Sequence, residues 1–466
     1  MVSINDSTTD TLTENVSGTD PQSDLSSFPS GRATDTPLQD IDAFQREQES
    51  LEQSALALLD DVRFDKDARL LAEQWRTLAP SFEAATYDAL LSSLKEIAFL
   101  VALQVVNDNP LDPHVVEISS GPHQWTRGAS LQEAKNGPYI PGSRWGINNP
   151  DTLYFAIPVE ALHRYRLTGY RQGAGPVDIN ISVQKKDIWK SLSNLESRDL
   201  TLNEQGGYDI LLLREGDSPQ GASNHLFIPD EECVVIVRQT LGDWSTSTID
   251  RLQVHLLDAE VVKSTATHDD FYRALINRLE GVIHHNVRVL QEPVFSLPVN
   301  EIPAPSGIGE KSGYLQSQRN SVGHFQLKDG QVLAIKVTSA GAGYYALAVT
   351  DVWGVSQNAD EHQNSLNNHQ IEAGDNGEII YLLSPTTLPY KNWVDTSPFT
   401  QGIAMLRWQL LDTEHPERLP IVESRVLTID EIEKTFTGQL IPLDTEEQKN
   451  RLTRRQRDYQ ARFLNR

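Results

Sequence analysis

Val177-Asp178-Ile179-Asn180-Ile181-Ser182-Val183 alternates apolar and polar residues without a break. Tyr165-Arg166-Leu167-Thr168 does the same just upstream, and Gly173-Ala174-Gly175 lies between the two runs. A period of two marks a strand with one face in a core. Two such runs around a Gly-rich turn predict a β-hairpin. Tyr208 to Leu213, Glu232 to Leu241 and Leu252 to Leu257 supply further strands.

The same landmarks return later in the chain. Gly341-Ala342-Gly343 separates the strand patterns Val332 to Val337 and Tyr344 to Val349, 168 residues after Gly173-Ala174-Gly175. Gly206 and Gly374 fall in matching turns, Asn224 and Asn392 each precede a strand, and Arg238 and Arg407 each follow an apolar strand run, all at an offset of 168 or 169. Landmarks in one order at a near-constant spacing imply an internal duplication. Each copy holds at least six short strands, so the expected fold is mainly β with flanking helices, as two tandem antiparallel β-sandwich or jelly-roll units.

Working outward, residues 1–40 carry 14 Ser or Thr and seven acidic residues with a single aromatic, Phe28. Such a segment cannot bury enough apolar surface to offset its ordering entropy, so a disordered acidic leader is expected. Residues 41–147 read as helical and then irregular, with an apolar stripe at Leu51, Ala55, Leu58 and Leu59 and a short core helix over Ile97 to Val106. The first β unit is 148–262 and the second 320–427. Between them, 263–319 holds a connecting helix opened by Thr267 and closed by Pro293, then a linker. Residues 428–466 return to helix, with a Thr445-x-x-Gln448 capping pattern and seven Lys or Arg from 449 to 466 that suit a solvated face or docking on the acidic body.

A formal charge of −25, from 40 basic and 65 acidic residues, opposes a nucleic-acid partner and an anionic membrane. The single cysteine, Cys233, sits in an apolar run and reads as a buried small hydrophobe; it permits no intramolecular disulfide and no multi-cysteine zinc site. No signal-peptide pattern and no phosphate loop occurs, so a cytoplasmic protein without a cofactor or metal is expected. Its partner would be a small molecule. Oligomeric state is not legible.

Asn149-Pro150-Asp151-Thr152-Leu153-Tyr154, Asp351-Val352-Trp353-Gly354, Ser365-Leu366-Asn367, Asn392-Trp393-Val394-Asp395-Thr396 and Arg407-Trp408-Gln409 resemble motifs of the bacterial family called domain of unknown function 1214. The resemblance spans roughly 140–427. It implies a β-sandwich or jelly-roll architecture, with some members compared to carbohydrate-active sandwiches, and brings no established reaction or catalytic residue.

Three groups of residues could carry chemistry. Arg407 ends the apolar run Ile403-Ala404-Met405-Leu406, so it needs a partner if buried, and Asp395 or a loop carbonyl is the natural one. That pair would fix a loop, or clamp a carboxylate or sugar beside Asn392. Trp353 and Trp393 offer flat faces for a glycan-like or amphipathic ligand, or pack in a core. Asn149 and Asp151 have strong turn chemistry, while Asp151 could serve as a base and Tyr154 as a hydrogen-bond donor. The expectation is a ligand site in the second unit, in a hydrolase with Asp151 and Asp395 as acid and base, or in a non-catalytic binding or scaffold module. A paired-carboxylate hydrolase would need both carboxylates on one cavity, roughly 5–10 Å apart.

Overall fold

The computed structural model describes residues 41–82, 87–124, 139–186, 190–229, 232–305, 315–374, 377–415 and 417–464. The expected acidic leader and part of the 263–319 linker lie outside them. The first copy contains eight strands: β4 (Thr152–Val159), β5 (Tyr165–Tyr170), β6 (Asp178–Lys185), β7 (Ser191–Glu196), β8 (Gly207–Arg214), β9 (His225–Ile228), β10 (Cys233–Thr240) and β11 (Arg251–Leu256). Three two-residue strands precede them, β1 (Val116–Glu117), β2 (His123–Gln124) and β3 (Tyr139–Ile140). The second copy also contains eight: β12 (Arg319–Gln326), β13 (Gln331–Val337), β14 (Tyr344–Thr350), β15 (Ser365–Asn367), β16 (Ile379–Ser384), β17 (Trp393–Asp395), β18 (Gln401–Gln409) and β19 (Val422–Thr428).

The two copies share one topology. In the first, β4-β10-β6-β7, extended by β1, packs on β11-β5-β8-β9; in the second, β12-β18-β14-β15 packs on β19-β13-β16-β17. Every strand has its counterpart in the same place, down to an unusual parallel neighbour, β8 with β9 and β16 with β17. An amide side chain staples the loop just before the second strand of each parallel pair. Asn224 donates to the carbonyls of Thr201 and Asp209 and accepts the Thr201 amide, while Asn392 donates to the Glu372 carbonyl and accepts its amide. The fold is two tandem β-sandwich units flanked by helices.

The expected hairpins are instead arches. β5 and β6 lie in opposite sheets, as do β13 and β14. Gly173, Gly175 and Gly341, at φ of +64°, +69° and +79°, turn the chain across the sandwich. Alternation cannot separate the two arrangements, because Leu167 on β5 and Ile179 and Ile181 on β6 enter the same core from opposite walls. The second core is built likewise, with Leu347, Val349, Leu406 and Trp408 facing Leu333, Ile335 and Tyr381. Burying each such side chain contributes roughly 1.5–3 kcal/mol.

The outer face of the β4-β10-β6-β7 sheet is covered twice. Its Ala156 and Ile236 pack under a helical layer of α1 (Ile41–Leu59), α2 (Phe64–Leu78), α3 (Tyr87–Val106) and α4 (His268–Asn286). Helix α3 is 20 residues rather than the short segment expected, and is long and apolar enough to cross a membrane. Here it lies inside the layer, with Ala98, Phe99, Val101 and Ala102 all fully buried. Thr267 caps α4 through a reciprocal box with Asp270. Pro293 does not close this helix. The chain runs on through a π-turn, Val287–Gln291, into a short α5 (Glu292–Phe295) with Pro293 in its first turn.

After the second sandwich come α6 (Ile429–Thr435) and α7 (Thr445–Leu464). Asp444, rather than Thr445, caps α7 by accepting the Glu447 amide. Basic residues of α7 dock on the body. Arg451 donates to the carbonyls of Lys391 and Gln370 in the second copy, and Arg462 to that of Pro150 at the start of the first. Arg455 is buried and lies 4.5 Å from the Trp244 ring while donating to the carbonyls of Ala359, His362 and Ser365.

Replacing the staples tests the duplication energetically. Asn224→Ala should cost about 2–3 kcal/mol and the more exposed Asn392→Ala about 1–2 kcal/mol, by loss of the bonds and exposure of backbone groups left without partners. Urea unfolding midpoints read both.

Candidate functional site

The second covering of the outer face is the other sandwich. Equivalent sheets meet: Tyr154 on β4 contacts Arg407 on β18, and Asn149 and Asp151, just before β4, contact Tyr344 on β14. Alternation along β4 sends Leu153, Phe155 and Ile157 into the first core, and so turns Thr152 and Tyr154 outward. The same rule turns Arg238 on β10 and Asp178, Asn180 and Ser182 on β6 outward, and Met405, Arg407 and Gln409 on β18.

Arg238 and Arg407 are the centre of this seam. Arg407 Nη1 donates to the Tyr154 hydroxyl at 3.4 Å, and the Arg238 guanidinium lies 6.0 Å from the centroid of the same ring. Arg238 also donates to the Ser182 hydroxyl at 3.1 Å, and Arg407 Nη2 reaches Met405 Sδ at 3.6 Å. Among the described residues neither arginine has a carboxylate within ion-pairing distance, and Arg407 Nε has no hydrogen-bond partner. Both occupy the central strand of a sheet with a second sheet in front, yet Arg238, Arg407 and Tyr154 each keep partial exposure.

Their electrostatics are coupled. Burial pushes the Tyr154 phenol up, but the charges of Arg407 and Arg238 outweigh it and hold the group below its ordinary value. Burial pulls the Arg238 guanidinium down, and the like charge of Arg407 adds to that. Asp178 lies close enough to act on both arginines, and burial raises its own carboxyl. A phenol that ionises easily between two cations is suited to accept and return a proton.

Asn149 and Asp151 also reach the seam, as structural members. Asn149 Oδ1 accepts the Asp151 amide at 3.1 Å in the expected turn, and its Nδ2 donates to the Tyr344 hydroxyl at 2.6 Å. Asp151 is fully buried, accepting Trp244 Nε1 at 2.8 Å and the Tyr344 hydroxyl at 2.7 Å. Burial raises its carboxyl although these bonds oppose the rise.

The remaining expected residues lie elsewhere. Asp395 does not pair with Arg407. Its Oδ2 accepts His362 Nδ1 at 2.9 Å and its Oδ1 accepts the Ser397 amide, and the bond to Asp395 raises the His362 imidazole. Asn392 is occupied by its staple. Trp393 is buried and donates to the Ser384 carbonyl. Trp353 is no ligand platform: it is 3% exposed and packs edge-on against Trp75 and Phe82, at centroid distances of 5.1 and 5.2 Å. Asp351, its carboxyl raised to about 6 chiefly by burial, accepts the Trp353 and Val355 amides and the Ser93 hydroxyl, which ties that motif to the helical layer. Sequence reasoning recognised Arg238 as a repeat of Arg407 but left it out of the site, and passed over Asp178, Asn180 and Ser182.

No family model matches the chain, and no curated protein is detectably similar to it. Solved structures are similar in fold. An uncharacterised protein from Burkholderia cenocepacia aligns over 82% of this chain and 100% of its own, with 19% identity and a TM-score of 0.65. A Vibrio parahaemolyticus protein aligns over 78% of this chain and 100% of its own, with 10% identity and a TM-score of 0.41. The first of these shows that this fold occurs in an uncharacterised bacterial protein.

The Tyr154 environment has a spectroscopic test. In a pH titration of tyrosinate absorbance, one tyrosine equivalent should ionise below the ordinary phenol range, and Tyr154→Phe should abolish that step. Arg407→Met should move it to higher pH. An unchanged early step in both variants would show that the two cations do not act on this ring.

Proposed function

We propose that this protein binds a small organic anion at the seam between its sandwiches, with Arg238 and Arg407 as the clamp and Tyr154 between them. The observation that carries the reading is the pair of arginines on facing central strands without a carboxylate partner among the described residues. A guanidinium held in protein without an opposite charge is costly, and its planar fork matches a carboxylate or phosphate. A ligand anion supplies the missing partner to both copies at once.

This reading keeps the small polar or amphipathic ligand expected from sequence and moves its place from within the second unit to the boundary of the two. Membership of the domain of unknown function 1214 family belongs to the same proposal, supported by two of its motifs, Asn149 to Tyr154 and Arg407 to Gln409, meeting at the seam. A cytoplasmic setting with a small-molecule partner is part of the same proposal. The glycoside-hydrolase reading has less support. The oxygens of Asp151 and Asp395 are engaged by separate partners, and no described contact joins the two residues. If the protein is catalytic, Tyr154 is the better-placed acid–base group.

The test is a binding panel on the full chain, with acetate, benzoate, phosphate and sulfate set against neutral glucose and cellobiose. Calorimetry and thermal shift provide the readout. At least one anion should bind, and Arg238→Met and Arg407→Met should each weaken it tenfold or more, as expected from losing about 1.5–3 kcal/mol in a charge-assisted hydrogen bond. Binding of a neutral sugar alone, or anion binding indifferent to both variants, would refute the proposal.

A further inference from the structure

The duplication kept the arginine and replaced what surrounds it, and that difference describes the ligand. Strand register fixes the correspondence: Arg238 pairs with Asn180 on one side and Tyr154 on the other, and Arg407 with Ala346 and Asn320. Asp178, Asn180 and Ser182 on β6 thus correspond to Tyr344, Ala346 and Ala348 on β14. One wall beside the clamp is polar. The other is apolar, and Met405 extends it.

The polar wall is short of donors. Asn180 Nδ2 donates to Asp178 Oδ2 at 2.7 Å, which fixes the amide orientation and points its oxygen away from the carboxylate. Asn180 Oδ1 and Asp178 Oδ1 then make no hydrogen bond among the described residues, although these residues are 1% and 2% exposed. The neighbouring Ser197 hydroxyl lies near enough to the Asp178 carboxyl to lower it, but it donates to the Ile179 carbonyl at 3.0 Å and leaves Asp178 Oδ1 outside hydrogen-bond geometry. Buried acceptors without donors are rare in folded proteins, and where they gather beside cations they match a ligand that brings both an anion and a donor.

Resting on the anion-binding reading above, we infer that the ligand is an organic acid carrying a hydroxyl or ammonium next to its carboxylate and a short hydrocarbon group beyond. The carboxylate lies between Arg238 and Arg407. The donor faces Asn180 Oδ1 and Asp178 Oδ1, and the hydrocarbon lies against Ala346, Ala348 and Met405. Tyr344 corresponds to Asp178 but is held by Asp151 and Asn149.

Three acids of one shape separate the terms: leucine, 2-hydroxyisocaproate and isocaproate, titrated calorimetrically into the full chain. At least one of the two donor-bearing acids should bind tenfold or more tighter than isocaproate, since a site built to receive a donor discriminates against the analogue lacking it. Which of the two binds identifies the donor. Asn180→Ala, or Asn180→Thr if the first variant does not fold, should collapse the discrimination while isocaproate binding persists. Equal binding of all three acids overturns the inference and leaves the anion clamp intact. So does failure of all three while benzoate or phosphate still binds through Arg407. Discrimination that survives the Asn180 substitution overturns the assigned wall, and absence of binding by every anion overturns both readings.

Discussion

A sheet face that meets its own copy dictates the rest of this structure. When equivalent strands of two duplicated units pack together, any residue both copies retain at the centre is brought near its counterpart. Here that residue is arginine, so the arrangement sets two like charges in one buried seam. Such a seam has to be relieved by a phenol that gives up its proton readily, by polar neighbours, or by an incoming anion. Tyr154, Asp178 and Ser182 supply the first two in part.

The surroundings of the seam follow from the same constraint. A polar centre contributes little hydrophobic adhesion between the sandwiches, so the attachment is made at the periphery. Asp151 joins Trp244 of its own copy to Tyr344 of the other, and Asn367 donates to the Gly242 carbonyl. Glu196 accepts the Gln316 and Ser317 amides that lead into the second unit. Trp353 and Val352 of the second copy enter the helical core built on the first. The expected acid Asp151 and the expected platform Trp353 are thus fasteners around the site.

Much of the fold was legible because alternation, turn glycines and a repeated spacing are local or periodic signals. The parallel β8/β9 and β16/β17 neighbours could not be read, since no local pattern distinguishes them from hairpins. The site was harder for a specific reason. In Asp178-Asn180-Ser182 the polar phase of a strand looks the same whether it faces water or another domain. Arg407 was assigned to Asp395, 12 residues before it in sequence, whereas its contact is Tyr154, 253 residues away in the other copy. The most telling sign was already present in the paired Arg238 and Arg407, each closing an apolar strand; treating the repeat as a reason for a structural role hid the consequence that both would arrive at one place.

Helix α7 has a temporal consequence. It follows both sandwiches in chain order and anchors on each, through Arg451 on one and Arg462 on the other. During synthesis it therefore leaves the ribosome after the bodies it binds. The two sandwiches can collapse and meet before this strap arrives, so α7 docks on a pair of bodies that are already formed.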